Sequence, residues 1–253
     1  MNTAAAEWIK LRTLRSTWWA LGGGFLVMAT FAPVTAMTSA NNYEAQGAPL
    51  ASVPYAVTAI DVMGYFVVFL LIAPAVLAVT GEYATGTIVP TLQCVPERGG
   101  LLLAKAGVVA GLGFAAGVPA GILGTFTGGP MLGEYGVLDG GPTAGKILAM
   151  GVFAALVSVF AMAVGVVLRS AAGTVIALFT VMLVLPMVLL GFGEVLRWDW
   201  LAELSEYFPS TAGVGFMSGD DQPFGPGVAL LILATWAGGA LAAAHRVLTR
   251  RDA

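Results

Sequence analysis

Six long apolar stretches, separated by short polar segments, constrain this chain of 253 residues more than any other feature of its sequence. Each stretch is about 17–26 residues long, and a helix needs roughly 20 residues to cross the hydrocarbon core of a bilayer. Charged residues make up only 10% of the chain, which is too few to cover the surface of a soluble domain. We therefore predict an all-α polytopic membrane protein with a single transmembrane domain over residues 1–253. The expected spans are 17–38, 62–80, 101–126, 147–168, 171–193 and 228–244.

The basic residues predict how these spans are oriented, because Lys and Arg are retained on the cytoplasmic side of a membrane. Of the 11 basic residues, only Lys146 and Arg197 fall on the side away from the two termini. We therefore expect a multi-pass protein of the cell membrane with both termini in the cytoplasm. A cleaved signal peptide is the alternative for the first span, but that apolar region is longer than the roughly 7–15 residues typical of signal peptides.

Residues 4–16 combine apolar and basic side chains at helical spacing. The apolar side chains recur every three or four positions: Trp8, Leu11, Leu14 and Trp18. The basic side chains occupy other positions: Lys10, Arg12 and Arg15. Such a helix lies along the inner leaflet, with Trp at the interface and cations near anionic headgroups. We predict an interfacial amphipathic helix here, and a simple orientation signal is the alternative.

Gly81–Gly100 is the only substantial loop expected on the cytoplasmic side. A short helix fits near Thr87–Cys94, because Pro90 would then lie in its first turn, where a missing N–H is tolerated. An ordinary connecting loop is the alternative.

Glu194–Phe208, on the outer side, carries apolar residues along one helical face and charged residues along the other. We predict a second amphipathic helix, ended by Pro209 and lying at the outer leaflet. It could cover a transport pathway or serve only as an aromatic anchor, and the sequence does not separate these roles.

Glycine and proline are frequent inside the predicted spans. The third span contains closely spaced glycines, which let helices approach each other within one subunit or, alternatively, across a dimer interface. Four different spans each contain a proline, and we expect kinks at these positions: Pro33, Pro74, Pro119 and Pro186.

The central parts of the predicted spans lack ionisable residues, which argues against a proton relay. Asp61, at the outer end of the second span, is the nearest candidate, and we interpret it as a helix cap or interfacial charge. A single Cys and a single His exclude a disulfide framework and a four-ligand zinc site. The net charge of -3 does not favour nucleic acid as a partner.

One segment, Gly140–Lys146, matches the G-x-x-x-x-G-K pattern of phosphate-binding loops. Ile147 replaces the Ser or Thr that would bind magnesium, and the segment lies on the predicted outer side. We interpret it as a chance match, so the chain is not expected to hydrolyse ATP itself.

Several segments together resemble the permease subunits of type-2 ATP-binding-cassette (ABC) transporters of the short six-span kind. The resemblance covers almost the whole chain and is carried by these segments: Glu7–Ser16, Glu82–Ile88, Pro96, Arg98, Lys105, Tyr207–Ser210 and Arg250–Asp252.

This resemblance implies a permease that forms a homodimer or pairs with a related permease, and that binds two separate ABC ATPase subunits. ATP and magnesium would bind in the ATPase subunits, and this chain itself would bind no cofactor. The implied ATPase-coupling residues are Glu82, Gly86, Thr87, Ile88, Thr91 and Leu92. The resemblance also implies short outer helices between spans five and six, and the implied outer gate consists of Trp198, Leu201, Leu204 and Phe208. The apolar spans favour a hydrophobic or amphiphilic cargo, and the expectation that this cargo is exported comes from the resemblance alone. A non-transporting scaffold and a sodium-coupled carrier are the alternatives.

Overall fold

The computed structural model describes residues 3–87, 98–219 and 223–250. Within this part of the chain, six helices are long and apolar enough to cross a membrane. The prediction of an all-α polytopic membrane protein is therefore confirmed.

The described part of the chain contains these helices: α1 Thr3–Thr13, α2 Arg15–Ala45, α3 Ala56–Thr85, α4 Arg98–Gly128, α5 Gly140–Leu168, α6 Ala171–Leu196, α7 Asp199–Ser205, α8 Pro209–Ser218 and α9 Pro226–Arg250. The membrane-spanning helices are α2 to α6 and α9. Two short parallel strands, β1 (Val53–Pro54) and β2 (Gly136–Val137), pair beside a 3₁₀ turn at Gly129–Tyr135.

The spanning helices extend beyond the predicted spans. Asn41–Glu44 lies between the predicted first and second spans and reads as a polar loop, but it forms the last turns of α2. Hydropathy marks only the part of a helix that fits the apolar core, whereas a helix can continue into the polar headgroup region. As a result, Asp61 and Glu82, which lie outside the predicted second span, are both inside α3.

The helices α3 and α5 form the centre of the bundle. In the most apolar stretch of α5, 67% of the residues are buried within the chain, compared with 17% in α6. Glycines of α4 allow close packing against α5: a Cβ atom added at Gly117 would lie 2.8 Å from the Cβ of Ala154. Gly113, Gly117 and Gly121 therefore pack within one subunit, as the first interpretation predicts, whereas a Cβ atom at Gly107 or Gly111 would meet no atom of the described chain within 4 Å.

Two spanning helices contain a π-helical turn, α3 at Met63–Val67 and α6 at Thr180–Val184. Pro186 follows the turn in α6 and has no N–H to donate to the carbonyl of Met182, four residues earlier. The hydroxyl of Ser210, in α8, donates a hydrogen bond to that carbonyl. A side chain thus replaces the missing helical bond and attaches α8 to α6.

The interfacial helix was predicted over residues 4–16, but α1 ends at Thr13. Leu14 has an extended backbone, and Arg15 is the first residue of α2. The indole Nε1 of Trp18 donates to the carbonyl of Arg12 at 3.0 Å, which satisfies an acceptor at the end of α1. The break therefore separates the N-terminal helix from the first span.

Candidate functional site

Four charged side chains meet where α1 packs against α3 and α4. Lys105 Nζ donates to Glu7 Oε2 at 2.6 Å and to Glu82 Oε1 at 2.7 Å. Lys10 Nζ donates to Glu7 Oε1 at 3.1 Å and to Glu82 Oε1 at 2.9 Å. We refer to these residues as the four-charge cluster, and to this end of the bundle as the α1 end.

The four-charge cluster is buried and has no net charge. The side chains of Glu7, Glu82 and Lys105 are each less than 10% exposed, whereas that of Lys10 is 48% exposed. Burial lowers the pKa of Lys10, but hydrogen bonds to Glu82 and Glu7 outweigh this effect and raise the pKa above its ordinary value. Removing one partner of such a buried set leaves an uncompensated charge, which typically costs about 3–5 kcal/mol.

Short-range structure places each member of the cluster. Glu7 and Lys10 are three residues apart on α1 and therefore share one helical face. Glu82 lies in the last turn of α3. This helix ends at Thr85, and the next residue, Gly86, has a left-handed backbone with φ of 71°. Lys105 lies in the second turn of α4. The cluster thus joins both helices that flank the segment between Thr85 and Arg98, and it attaches them to α1.

A cavity of about 520 Å³ lies beside the cluster, between α1, the beginning of α2 and the end of α3. Lys10 and Glu82 line it together with apolar side chains such as Leu14 and Leu77. Thr87, where the described part of this segment ends, also lines the cavity. The cavity therefore lies at the base of the predicted coupling loop.

The predicted coupling residues are only partly described. Glu82 belongs to the four-charge cluster, while Gly86 and Thr87 are exposed just beyond α3. Ile88, Thr91 and Leu92 lie outside the described residues, as does most of the predicted short helix. Both ends of the predicted 81–100 loop are helical, because α3 runs to Thr85 and α4 begins at Arg98.

The residues of the predicted interfacial helix separate into three groups. Leu11 is buried, 3% exposed, and packs into the main core. Lys10 points to two carboxylates and not, as predicted, to lipid headgroups. Trp8 and Arg12 are exposed on α1, whereas Arg15 belongs to α2.

The expectation of short outer helices between spans five and six is confirmed by α7 and α8, but the prediction of one amphipathic helix over Glu194–Phe208 is wrong. The end of α6, the short helix α7 and the connection to α8 share this segment, because Arg197 adopts a left-handed conformation that ends α6. Pro209 does not end a helix but begins α8, since proline is well suited to a first helical turn.

The four predicted gate residues do not form one face. Trp198 stacks on Trp200, with ring centroids 6.1 Å apart. Leu201 is buried near Gly193, while Leu204 is exposed. Phe208 contacts Trp236 of α9, with centroids 6.0 Å apart. Their role as a gate stays a prediction.

A second cavity, of about 380 Å³, lies at the opposite end of the bundle and is lined by Asp61, Tyr65 and Glu206. Of the two interpretations of Asp61, the helix cap is wrong, because α3 begins five residues earlier at Ala56, and the interfacial charge stays a prediction. Burial raises the pKa of Glu206 above its ordinary value. Within the described residues, neither carboxylate forms an ion pair.

Sequence reasoning did not identify Glu7 and Lys105 as site residues. Lys105 lies within the predicted third span, and a lone buried cation in an apolar run requires a counter-charge. That position was therefore a usable signal. The spacing of three residues between Glu7 and Lys10 was a weaker signal, because residues at this spacing share one helical face.

A comparison with models of known protein families found no match for this chain, and a search of curated proteins found none either.

Proposed function

We propose that the chain is the membrane-spanning permease subunit of an ATP-driven transporter of the type-2 ABC kind. It would export a hydrophobic or amphiphilic compound, powered by two separate ATPase subunits that bind ATP and magnesium. The observation that supports this proposal best is the four-charge cluster, because it links both ends of the predicted coupling loop to the N-terminal helix.

The four-charge cluster is suited to transmit force from the loop between α3 and α4 to the spanning helices. A docked ATPase would pull on the loop between α3 and α4 when ATP binds. Separating Glu7, Glu82 and Lys105 would leave buried charges unpaired, so α1, α3 and α4 would move as one body. Such rigid-body movement can change which side of the membrane the spans open to.

We propose that the α1 end faces the cytoplasm and that the protein lies in the cell membrane. This orientation follows from the excess of basic residues predicted on that side. Cysteines substituted for Asn42 and Asp139 should then react with an impermeant thiol reagent in intact cells. Protection of both positions would overturn the orientation.

We also propose that two copies of the chain, or this chain and a related permease, form the transport unit. The helices α6 and α9 support this, since only 17% and 22% of their most apolar stretches are buried within one chain. Their remaining apolar surface would contact lipid or the second permease.

A sodium-coupled carrier is the second candidate function, and the cavity that contains Asp61 and Glu206 favours it. Carboxylate oxygens that line a cavity are suitable ligands for a hard cation, and neither Asp61 nor Glu206 forms an ion pair within the described residues. A scaffold protein without transport activity would need neither ATP nor a sodium gradient.

Purification in a mild detergent, followed by transport assays, separates these functions. We expect the tagged wild-type chain to retain an ATPase subunit, and inside-out vesicles to accumulate fluorescent amphiphiles only when ATP is present. Transport driven by a sodium gradient without ATP would favour the carrier. Absence of a retained ATPase together with absence of transport would leave the scaffold.

A further inference from the structure

The turn between α5 and α6 contains an arginine whose backbone is fixed on both sides. Arg169 has a left-handed backbone, with φ of 54°, and its N–H donates to the carbonyl of Gly165 at 2.9 Å. The next residue, Ser170, caps α6 by accepting a hydrogen bond from the N–H of Gly173. Arg169 is therefore held at the α1 end, between two spanning helices.

Three hydrogen-bond donors around this arginine have no partner. The guanidinium lies over the ring of Tyr83, with its carbon 5.1 Å from the ring centroid. Arg169 Nε and Nη2 are buried and have no hydrogen-bond partner of good geometry, and the same holds for the buried hydroxyl of Tyr83, although it lies close to the guanidinium. Nε and Nη2 form one edge of the guanidinium, which binds a carboxylate or phosphate through two parallel hydrogen bonds. The group that is missing is therefore an acceptor, and an anionic one.

The described part of the chain does not supply this acceptor. Glu82 precedes Tyr83, but its Oε1 accepts from both lysines of the four-charge cluster, and its Oε2 has no hydrogen-bond partner. Arg169 forms no ion pair with any described residue. Because a buried unpaired guanidinium is costly, an anion from outside the chain would stabilise this arrangement.

The surroundings of Arg169 indicate where this anion comes from. Leu168, Val175 and Ile176 are 43%, 51% and 66% exposed, so the surface around the turn is apolar and suited to contact lipid. Lipid phosphates lie at the level where spanning helices end. Arg169 is itself partly exposed, whereas its Nε and Nη2 are buried, so binding requires the side chain to turn this edge towards the lipid-facing surface.

We propose that Arg169 and Tyr83 bind the phosphate group of a phospholipid in the leaflet at the α1 end. The guanidinium donates two hydrogen bonds to two phosphate oxygens, and the Tyr83 hydroxyl donates a third. This site does not depend on ATP-driven transport. It would hold a lipid next to the last turn of α3, which carries Glu82.

Native mass spectrometry of the purified chain tests the proposal by titration with dioctanoyl phosphatidylglycerol. Dioctanoylglycerol, which lacks the phosphate, and inorganic phosphate form the comparison arms. We expect Arg169→Gln to weaken lipid binding by about tenfold or more and Tyr83→Phe by about threefold, since hydrogen bonds to charged groups are the stronger ones. Arg246→Gln, an exposed arginine on α9, is the control and should bind as the wild type does.

Equal binding of dioctanoylglycerol and phosphatidylglycerol would overturn the proposal. Displacement of the lipid by inorganic phosphate at equal concentration would assign the site to a soluble anion and overturn the lipid assignment. If Arg169→Gln does not fold, Tyr83→Phe decides: wild-type affinity in that variant contradicts the proposed site. Arg169-dependent retention of a partner protein without any lipid binding would also contradict it.

Discussion

The two ends of the bundle differ in whether their charged side chains form ion pairs. At the α1 end, two carboxylates and two ammonium groups neutralise one another within hydrogen-bonding distance. At the other end, about 30 Å away along α3, Asp61 and Glu206 line a cavity and have no ion-pair partner among the described residues. A compensated cluster resists separation and is suited to hold helices together. Within the described residues, the two carboxylates at the other end form no ion pair that would hold helices together.

The largest effect is expected when the compensated cluster loses its most buried cation. Lys105→Met leaves Glu7 and Glu82 facing only the half-exposed Lys10, and we expect a loss of about 3–5 kcal/mol in the free energy of unfolding. Denaturant unfolding in detergent measures this loss. Arg246→Met, on the exposed side of α9, is the matched control. A stability equal to that of the control would show that the cluster does not hold the helices together.

A double-mutant cycle sharpens the same point. In Glu82→Gln with Lys105→Met, both partners of one buried contact are removed, so the combined loss should be smaller than the sum of the single losses by about 1–3 kcal/mol. Unfolding of the two single variants and the double variant gives this difference. Additive losses would mean that the 2.7 Å contact contributes no pairwise energy.

At the end of the bundle that contains Asp61 and Glu206, removing a charge should not lower the free energy of unfolding. Asp61→Asn removes a partly buried carboxylate that has no ion-pair partner, so the free energy of unfolding should stay constant or rise by up to about 1 kcal/mol. The same unfolding assay applies. A loss as large as that of Lys105→Met would show that Asp61 has a structural partner and would remove the contrast between the two ends.

The smallest expected effect is on how the free energy of unfolding depends on pH. Because burial raises the pKa of Glu206 above 4.5, the folded chain binds this proton more tightly than the unfolded chain does. Its contribution to stability is therefore complete below 4.5 and is lost as the pH rises through the raised pKa. Glu206→Gln should flatten the pH dependence of unfolding in that window. An unchanged profile would indicate that Glu206 is not buried in the folded protein.

The six spans could be predicted because a long apolar run is a local property of the sequence. Their ends could not, since Asn41–Glu44 is polar by composition and yet continues α2. The prediction for the segment around Pro209 was wrong for a related reason. Proline occurs both after the end of a helix and in its first turn, and only the neighbouring structure decides between the two.

The four-charge cluster was the hardest feature to anticipate. Glu7 and Lys105 are separated by 98 residues, and their contact depends on how α1 packs against α4. Glu82 was identified through a family resemblance and not through its partners. A charged residue inside a predicted span, such as Lys105, predicts that a counter-charge exists, but it does not say which residue supplies it.

The central claim is that the four-charge cluster transmits force from a partner ATPase to the spans. The most direct measurement is the amount of substrate exported per ATP hydrolysed, in proteoliposomes that contain this chain and the proposed partner ATPase at matched abundance. We expect Glu82→Gln to retain the ATPase and to hydrolyse ATP, but to export about tenfold less per ATP, within the usual range of coupling energies. Glu44→Gln, an exposed glutamate near the end of α2, should match the wild type. Wild-type export per ATP in Glu82→Gln would contradict the claim.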